Sequence, residues 1–221
     1  MHITVLGANG GIGRQVVQQA LAAGHEVSAV IRESSGSAAA LAQLERVPAG
    51  AAGRLRVVVA DPRKAPELAG AMVGSDAVLS GIGPRARKDP DRIASTVTRA
   101  AIEAMRAAEV RRIVVVSAAP IGSPAGGSFV FRRIARPIVW ALFREVYTDL
   151  ERMEASLRGS GLDWTAVRPP RLTDGPHTGT QKVLPGRLAP GFLVSRADVA
   201  DTMLRALDDP ATISTHVGVS A

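Results

Sequence analysis

The chain contains no cysteine, and this absence removes several chemistries at once. Disulfide bonds, thiolate catalysis and cysteine-bound zinc or iron–sulfur centres are all excluded. Aromatic residues make up only 3% of the chain, so there are few platforms on which nucleic-acid bases could stack. No apolar run reaches the roughly 18 residues of a membrane-spanning helix. With 46% hydrophobic and 21% charged residues, the composition is typical of a soluble globular protein.

Positive charge is in excess, since 27 Lys and Arg residues face 20 Asp and Glu residues. Such an excess can indicate nucleic acid or an anionic membrane as a partner. The arginines are spread along the chain, however, so we predict a small-molecule substrate and an anionic cofactor, with no nucleic acid and no membrane as partner. Residues 1–6 begin directly with a strand pattern, and we therefore expect no signal peptide and a cytoplasmic location. A monomer or homodimer is expected.

Short β-branched runs alternate with longer alanine-rich segments. Residues 113–116, Ile-Val-Val-Val, are typical of a strand that is buried on both faces. The alternation predicts an α/β fold, a doubly wound and mainly parallel sheet of the Rossmann type, in one domain over residues 1–221. Strands are predicted at residues 2–6, 26–31, 55–60, 77–80, 112–117 and 163–167. Helices are predicted at residues 11–23, 66–73, 91–108, 146–158 and 196–208, with further helical stretches near 38–46 and 129–143.

The connections rich in Pro, Gly and Ser are expected to form the ligand site. Ligands of doubly wound sheets bind beyond the carboxyl ends of the strands, where these connections meet. We expect residues 169–191 to be the longest irregular stretch, and we place the substrate pocket in residues 118–147 and 168–195. The helix at 129–143, with three of the four Phe residues, is predicted to cap the sheet, to close over the substrate or to form a dimer face.

A glycine-rich turn joins the first predicted strand to the first predicted helix. Its glycines follow the spacing Gly7-x-x-Gly10-x-x-Gly13. Such glycines permit a tight turn, let the backbone approach a diphosphate and allow close packing of helix on strand, while the helix N-terminus faces the anion. The turn therefore predicts a dinucleotide site formed by Gly7, Asn9, Gly10, Gly11, Ile12 and Gly13.

The end of the second predicted strand bears on the choice of cofactor. Arg32 stands where an acidic residue would bind the 2′-hydroxyl of NAD, and an arginine there favours the 2′-phosphate of NADP. Ser34 adds a hydroxyl donor, whereas Glu33 would repel a phosphate. Asp61, after the third strand, either accepts from the adenine amino group or begins a turn with Pro62. NADP is therefore predicted, with NAD as the alternative.

Several segments together resemble the atypical short-chain dehydrogenase/reductases with NAD(P)H-binding, NmrA-like domains. They are the glycine-rich turn, Arg32, Asp61, residues 149–154 and residues 157–179, and within the family they are most similar to the NADPH-dependent flavin and biliverdin reductases. The resemblance implies a 2′-phosphate loop at residues 32–35, a pocket serine at Ser117 and a nicotinamide pocket bordered by Pro169 and Pro170. It also implies cofactor contacts after the fourth strand from Gly81, Ile82, Gly83 and Arg85.

Two departures from the family pattern bear on catalysis. Short-chain reductases commonly use Tyr-x-x-x-Lys, but the one tyrosine, Tyr147, is followed four residues later by Glu151. A carboxylate there would raise the pKa of the phenol and weaken it as an acid. Arg171 stands where the flavin reductases have a pocket histidine, which favours an acidic substrate. The catalytic candidates are Ser117, Tyr147, Arg171 and His177, and no metal is expected because no His and carboxylate pair has ligand spacing.

These features predict an NAD(P)H-dependent oxidoreductase that reduces a flavin, quinone or similar conjugated acceptor. Such acceptors take hydride directly and need no placed acid, unlike a ketone. One alternative is a biosynthetic ketoreductase, epimerase or dehydratase that uses Tyr147 or His177 as its proton donor. The other is a non-catalytic NmrA-like sensor, which would bind the dinucleotide without turnover.

Replacement of Arg32 tests the predicted cofactor preference. Arg32→Ala is expected to weaken the binding of NADPH much more than that of NADH, because only NADPH carries the 2′-phosphate. Direct binding titrations of both cofactors measure the effect, and an equal loss for the two would contradict the assignment.

Overall fold

A computed structural model describes residues 1–32, 51–84, 90–119, 121 and 142–221. Ten strands lie within these ranges, namely β1 (His2–Leu6), β2 (Glu26–Ile31), β3 (Leu55–Val59), β4 (Ala77–Ser80), β5 (Arg112–Val116), β6 (Asp163–Arg168), β7 (Arg171–Thr173), β8 (Lys182–Pro185), β9 (Leu193–Ser195) and β10 (Thr215–Ser220). The α-helices of the same ranges are α1 (Gly11–Ala22), α2 (Ala65–Met72), α3 (Ile93–Ala107), α4 (Arg144–Arg158) and α5 (Arg196–Asp208).

The strands of the main sheet are arranged in the order β3-β2-β1-β4-β5-β6-β10-β8. All neighbouring pairs in this sheet are parallel except β8 with β10. The chain moves outward from β1 toward β3 and then returns to begin β4 on the other side of β1. A switch of this kind opens a crevice at the carboxyl ends of the strands. The predicted doubly wound α/β sheet is confirmed.

The helices cover both faces of the sheet. Helices α1 and α5 pack on one face, around buried residues such as Val16, Leu21 and Met203. Helices α2, α3 and α4 pack on the other face, around residues such as Leu68 and Met105. Strands that are buried on both faces are mostly apolar, which is why β4, β5 and β6 are recognisable from sequence. Among the described helices, none is long and apolar enough to cross a lipid bilayer.

A buried carboxylate joins α3 to α4. Asp149, 1% exposed on α4, accepts hydrogen bonds from the backbone N–H groups of Ala94 and Ser95 at 2.9 and 3.3 Å. The Ser95 hydroxyl also donates to the Asp149 carboxylate. The residue before α3, Arg92, gives the helix no side-chain cap of its own. Asp149 therefore caps α3 from another helix and fixes the position of its first turn.

The predicted elements that fall in the described residues agree with the observed ones to within two residues at each end. The expectation of an irregular stretch at residues 169–191 is wrong, because it contains β7 and β8. Strand β7 pairs with β9, and β8 pairs with β10, so partners distant in sequence stabilise both. Local patterning does not reveal such pairing. The predicted helix at 38–46 and, apart from Leu142 and Phe143, the one at 129–143 lie outside the described residues.

Removal of the cap on α3 should destabilise the fold. Asp149→Ala is expected to lower the free energy of unfolding by about 1–2 kcal/mol, because two N–H groups of the first turn lose their acceptor. Urea unfolding followed by circular dichroism measures this. The control is Glu151→Ala on the exposed face of the same helix, which should change stability by less than about 0.5 kcal/mol. Equal effects of the two substitutions would contradict the capping role.

Candidate cofactor and substrate site

A cavity of about 780 Å³ lies at the carboxyl ends of the parallel strands. Five of its lining residues directly follow a strand of the main sheet: Gly7, Arg32, Gly81, Ser117 and Pro169. The register explains this convergence, since Leu6 at the end of β1 pairs with Val30 in β2 and with Ser80 in β4. The ends of neighbouring strands are therefore level, and the residues that follow them face one crevice.

The cavity brings together most of the cofactor residues predicted from sequence. Those that line it are Gly7, Asn9, Gly10, Gly11, Ile12, Arg32, Gly81, Ile82, Gly83, Ser117, Pro169 and Pro170. Gly13 and Asp61 lie close by without lining it. Ser34 and Arg85, as well as Glu33, fall outside the described residues.

The glycines of the turn permit contacts that no other residue allows. Gly7 has a φ of +73°, in the left-handed region. A Cβ atom on Gly13 would lie 2.1 Å from the carbonyl oxygen of Gly7, and one on Gly81 would lie 2.9 Å from the backbone nitrogen of Gly13. Gly13 therefore serves the close packing of α1 on β1 and β4, while Gly7, Gly10 and Gly11 face the cavity.

The N-terminus of α1 fits the diphosphate of a dinucleotide. Gly10 is its N-cap and offers no side-chain cap, and no acidic residue lies in the first turn. The first backbone N–H groups of a helix have no partner within the helix, and together with the helix dipole they favour an anion. Since Gly10, Gly11 and Ile12 line the cavity, the residues present suit a bound NAD(P) diphosphate.

The ionisable side chains among the described lining residues are Arg32, Arg63, Asp91 and Arg196. Three guanidinium groups and one carboxylate line the cavity, and Asp61 and Asp174 pair with two of the guanidinium groups, those of Arg63 and Arg196. The guanidinium groups are suitable donors for an anionic cofactor. Arg63 donates from Nη2 to Oδ2 of Asp61 at 2.8 Å. The hydrogen bonds from Arg63 lower the pKa of the Asp61 carboxyl to about 2. Asp61 also accepts from the backbone N–H of Arg63, so it forms the predicted turn.

A buried polar network lies behind Ser117. The Ser117 hydroxyl donates to Oε1 of Glu154 at 2.7 Å, and Arg168 donates from Nε to the same carboxylate at 3.0 Å. Glu154 is 1% exposed and Arg168 is 6% exposed. Burial raises the pKa of Glu154, but hydrogen bonds and positive charge from Arg168, with smaller contributions from Ser117 and Arg158, outweigh it and hold the pKa below the ordinary value. Glu154 is therefore a carboxylate at neutral pH and an acceptor for the Ser117 hydroxyl.

The other three catalytic candidates, Tyr147, Arg171 and His177, are not among the described residues that line this cavity. Tyr147, 9% exposed, packs in the core between sheet and helices with its ring centroid 6.0 Å from that of Phe143, and burial raises its pKa. Arg171 is exposed on β7, where the alternation of side chains turns it away from the face on which Leu172 lines the cavity. His177 is exposed and lies 3.5 Å from a carboxylate oxygen of Asp201 on α5.

Sequence patterns alone do not identify several residues of the site, among them Arg63 and Asp91 of the lining, Arg196, and the pair formed by Glu154 and Arg168. A glutamate in the apolar face of a predicted helix is a usable signal of such a buried pair. Arg196, the first residue of α5, gave no local signal, because its position over the glycine-rich turn depends on how α5 packs against α1. In the described part of the chain, no group of three or more His, Asp or Glu side chains could hold a metal ion.

The sheet order, the glycine-rich turn and the charged cavity define a Rossmann-type dinucleotide-binding protein. A family model described as NAD(P)H-binding matches residues 7–210. The chain belongs to this NAD(P)H-binding family, as the resemblance implied, and it shares its fold with solved short-chain dehydrogenase/reductases of 20% identity. A nicotinamide dinucleotide is accordingly its cofactor class.

Individual relatives are named for more than one activity. The chain is 29% identical to the uncharacterized sugar epimerase YhfK of Bacillus subtilis, over 96% of this chain and 90% of that protein. It is 33% identical to a 3-diazoavenalumate denitrifying reductase of a Streptomyces species, over 73% of this chain and 54% of that protein. Among solved structures, ChuY, an anaerobillin reductase from Escherichia coli O157:H7, matches with a TM-score of 0.74 and 25% identity, over 99% of this chain and 96% of that one.

The buried network predicts a pH-dependent contribution to stability. Glu154→Gln is expected to lower the free energy of unfolding near pH 7 by about 3–5 kcal/mol, because Arg168 keeps a buried charge without its partner. The folded-state pKa of Glu154 is lowered. This contribution is therefore complete above the unfolded value of about 4.3 and is lost as the pH falls through the folded value.

Urea unfolding at a series of pH values measures the difference between wild type and variant, which should shrink in acid. Arg158→Gln is the matched control, since Arg158 is exposed and lies 3.5 Å from the same carboxylate. It should cost less than about 1 kcal/mol. A difference for Glu154→Gln that stays constant with pH would contradict the assigned charge state.

Proposed function

We propose that this protein is an NADPH-preferring oxidoreductase that transfers hydride to a flavin, a quinone or a similar small conjugated acceptor. The observation that carries the proposal is the position of Tyr147 in the hydrophobic core, whereas Ser117 lies at the cavity. A ketone reductase needs a placed acid to protonate the alkoxide. When bound, the reduced nicotinamide supplies a hydride, and a conjugated acceptor can take the accompanying proton from water.

The hydrogen bonding of Ser117 supports this choice of acceptor. A serine hydroxyl has one proton to donate, and that of Ser117 is directed at Glu154. The oxygen then offers its lone pairs to the cavity, where it can accept an N–H from a carboxamide or a ring. A hydroxyl held in this way does not donate to a developing alkoxide, so it orients ligands without acting as an acid.

The cations at the cavity support NADPH as the preferred cofactor. Arg32 follows β2 directly and lines the cavity, and Arg63 lines it from the turn after β3. A 2′-phosphate adds negative charge, which guanidinium groups bind through charge-assisted hydrogen bonds. No acidic residue follows β2 at position 32, where NAD-specific sites bind the ribose hydroxyls.

The relatives support a reductase and also name the main alternative. Two of the proteins described above are named as reductases, one for anaerobillin and one for 3-diazoavenalumate. The relative from Bacillus subtilis is named as an epimerase. Epimerisation would require acid–base groups at the cavity, and Asp91 is the one carboxylate among its described lining residues. Asp91 is therefore the residue to replace if turnover proves to depend on a protein acid.

Turnover with a panel of acceptors tests the proposal. Oxidation of NADPH and NADH is followed by absorbance with FMN, riboflavin, a quinone and biliverdin as acceptors. We expect turnover that is faster with NADPH than with NADH. Tyr147→Phe should change the turnover rate by less than about threefold. Ser117→Ala should lower the rate by up to about tenfold, the effect of one neutral hydrogen bond.

Two results would count against this function. Loss of turnover in Tyr147→Phe, with the fold intact by circular dichroism, would point to a tyrosine acid and hence to a ketoreductase or epimerase. Tight binding of NADPH without turnover of any acceptor would favour the sensor alternative. Asp91→Asn distinguishes the two kinds of reaction, since hydride transfer to a conjugated acceptor should not depend on Asp91, whereas epimerisation would require an acid–base group.

A further inference from the structure

Arg196 lies across the first turn of α1. A Cβ atom placed on Gly11 would come within 2.6 Å of the Cδ atom of Arg196 and within 2.9 Å of its Nε atom. The absence of a side chain at residue 11 therefore makes room for an arginine from a different helix. Both residues line the cavity, and the Arg196 side chain is 31% exposed.

The packing of α5 against α1 holds Arg196 in this position. Gln19 of α1 donates from Nε2 to the backbone oxygen of Ala197 at 2.9 Å, one residue after Arg196. The side chain of Ser195 caps α5 by accepting from the N–H of Asp198 at 2.9 Å. The start of α5 is thus fixed on both sides, so the arginine emerges from a defined point beside the glycine-rich turn.

One exposed carboxylate holds the guanidinium of Arg196. Its Nη1 atom donates to Oδ1 of Asp174 at 2.6 Å, and the Asp174 side chain is 92% exposed. An ion pair with such an exposed partner contributes little to stability. The pair therefore does not explain why the arginine lies over the glycine-rich turn.

We propose that Arg196 binds the diphosphate of the dinucleotide from above the glycine-rich turn, opposite the N–H groups of α1. The turn and helix N-terminus supply neutral donors, and α1 has no basic residue that lines the cavity. Arg196 adds a full positive charge and a planar set of donors, which suits bidentate binding of phosphate oxygens. The inference rests on the proposed dinucleotide site. It adds to that site a cation for the diphosphate, which comes from the C-terminal part of the sequence.

The roles of Arg196 and Arg32 can be separated by experiment, because Arg196 would bind the diphosphate and Arg32 the 2′-phosphate. The diphosphate is common to NADPH and NADH, whereas the 2′-phosphate belongs to NADPH alone. Adenosine 2′-monophosphate carries the 2′-phosphate and has no phosphate at its 5′ position. A cation at the diphosphate should therefore affect NADPH and NADH equally and affect the monophosphate much less.

Calorimetric titration of the full chain with these three ligands tests the proposal. Arg196→Gln is expected to weaken the binding of NADPH and NADH alike by about 10- to 100-fold, and that of adenosine 2′-monophosphate by less than about threefold. Arg196→Lys, which keeps the charge but loses the planar fork, should recover part of the loss. Arg205→Gln is the matched control, because Arg205 pairs with Asp201 on the exposed side of the same helix. It should leave all three affinities unchanged.

Asp174→Asn separates the cation from its ion pair. If Arg196 acts by its own charge, this variant should bind NADH within about threefold of wild type. A loss as large as that of Arg196→Gln would overturn the proposal, because the pair would then act only by holding residues 171–195 in place. Normal dinucleotide affinity in a folded Arg196→Gln would also overturn it while leaving the proposed function intact. Failure of the wild type to bind any of the ligands would overturn both.

Discussion

The close contact between the backbones of Gly7, Gly13 and Gly81 is the constraint on which the site depends. A methyl group at residue 13 would lie 2.1 Å from the Gly7 carbonyl oxygen, far inside contact distance. Only this approach brings the start of α1 against the ends of β1 and β4, which meet at the topological switch. The N-terminus of α1, which has no side-chain cap, then faces the crevice, so the proposed diphosphate site depends on how closely three backbones pack.

The charged and the less charged parts of the cavity come from different helices and loops. Arg32 and Arg63 follow strands on one side of the switch, where the chain turns outward to β2 and β3. Ser117 and Pro169 follow β5 and β6 on the other side. Among the described residues on that side, Glu154 and Arg168 neutralise each other in the buried network behind Ser117. The described guanidinium groups of Arg32 and Arg63 thus lie on the side of β2 and β3, and the internally neutralised pair lies on the side of β5 and β6.

Capping between helices and pairing between distant strands hold the walls of the cavity. Asp149 fixes the first turn of α3, and Leu150, the next residue on α4, lines the cavity. On the opposite wall, the pairing of β7 with β9 places Leu172 beside the cavity. Neither wall depends on local propensity alone. Each is stabilised by a contact between segments more than about 20 residues apart.

The sequence by itself determined the fold class, the main strands and the glycine-rich turn, because burial on both faces and the need for glycine leave local patterns. Only the tertiary structure decided which polar side chains meet. Tyr147 lies in the core, the Ser117 hydroxyl pairs with Glu154, and Arg196 reaches Gly11. Helical periodicity gives the face on which a side chain lies but not its neighbour, since that depends on the packing of elements far apart in the chain. For the same reason the sequence does not predict the short strands β7, β8 and β9.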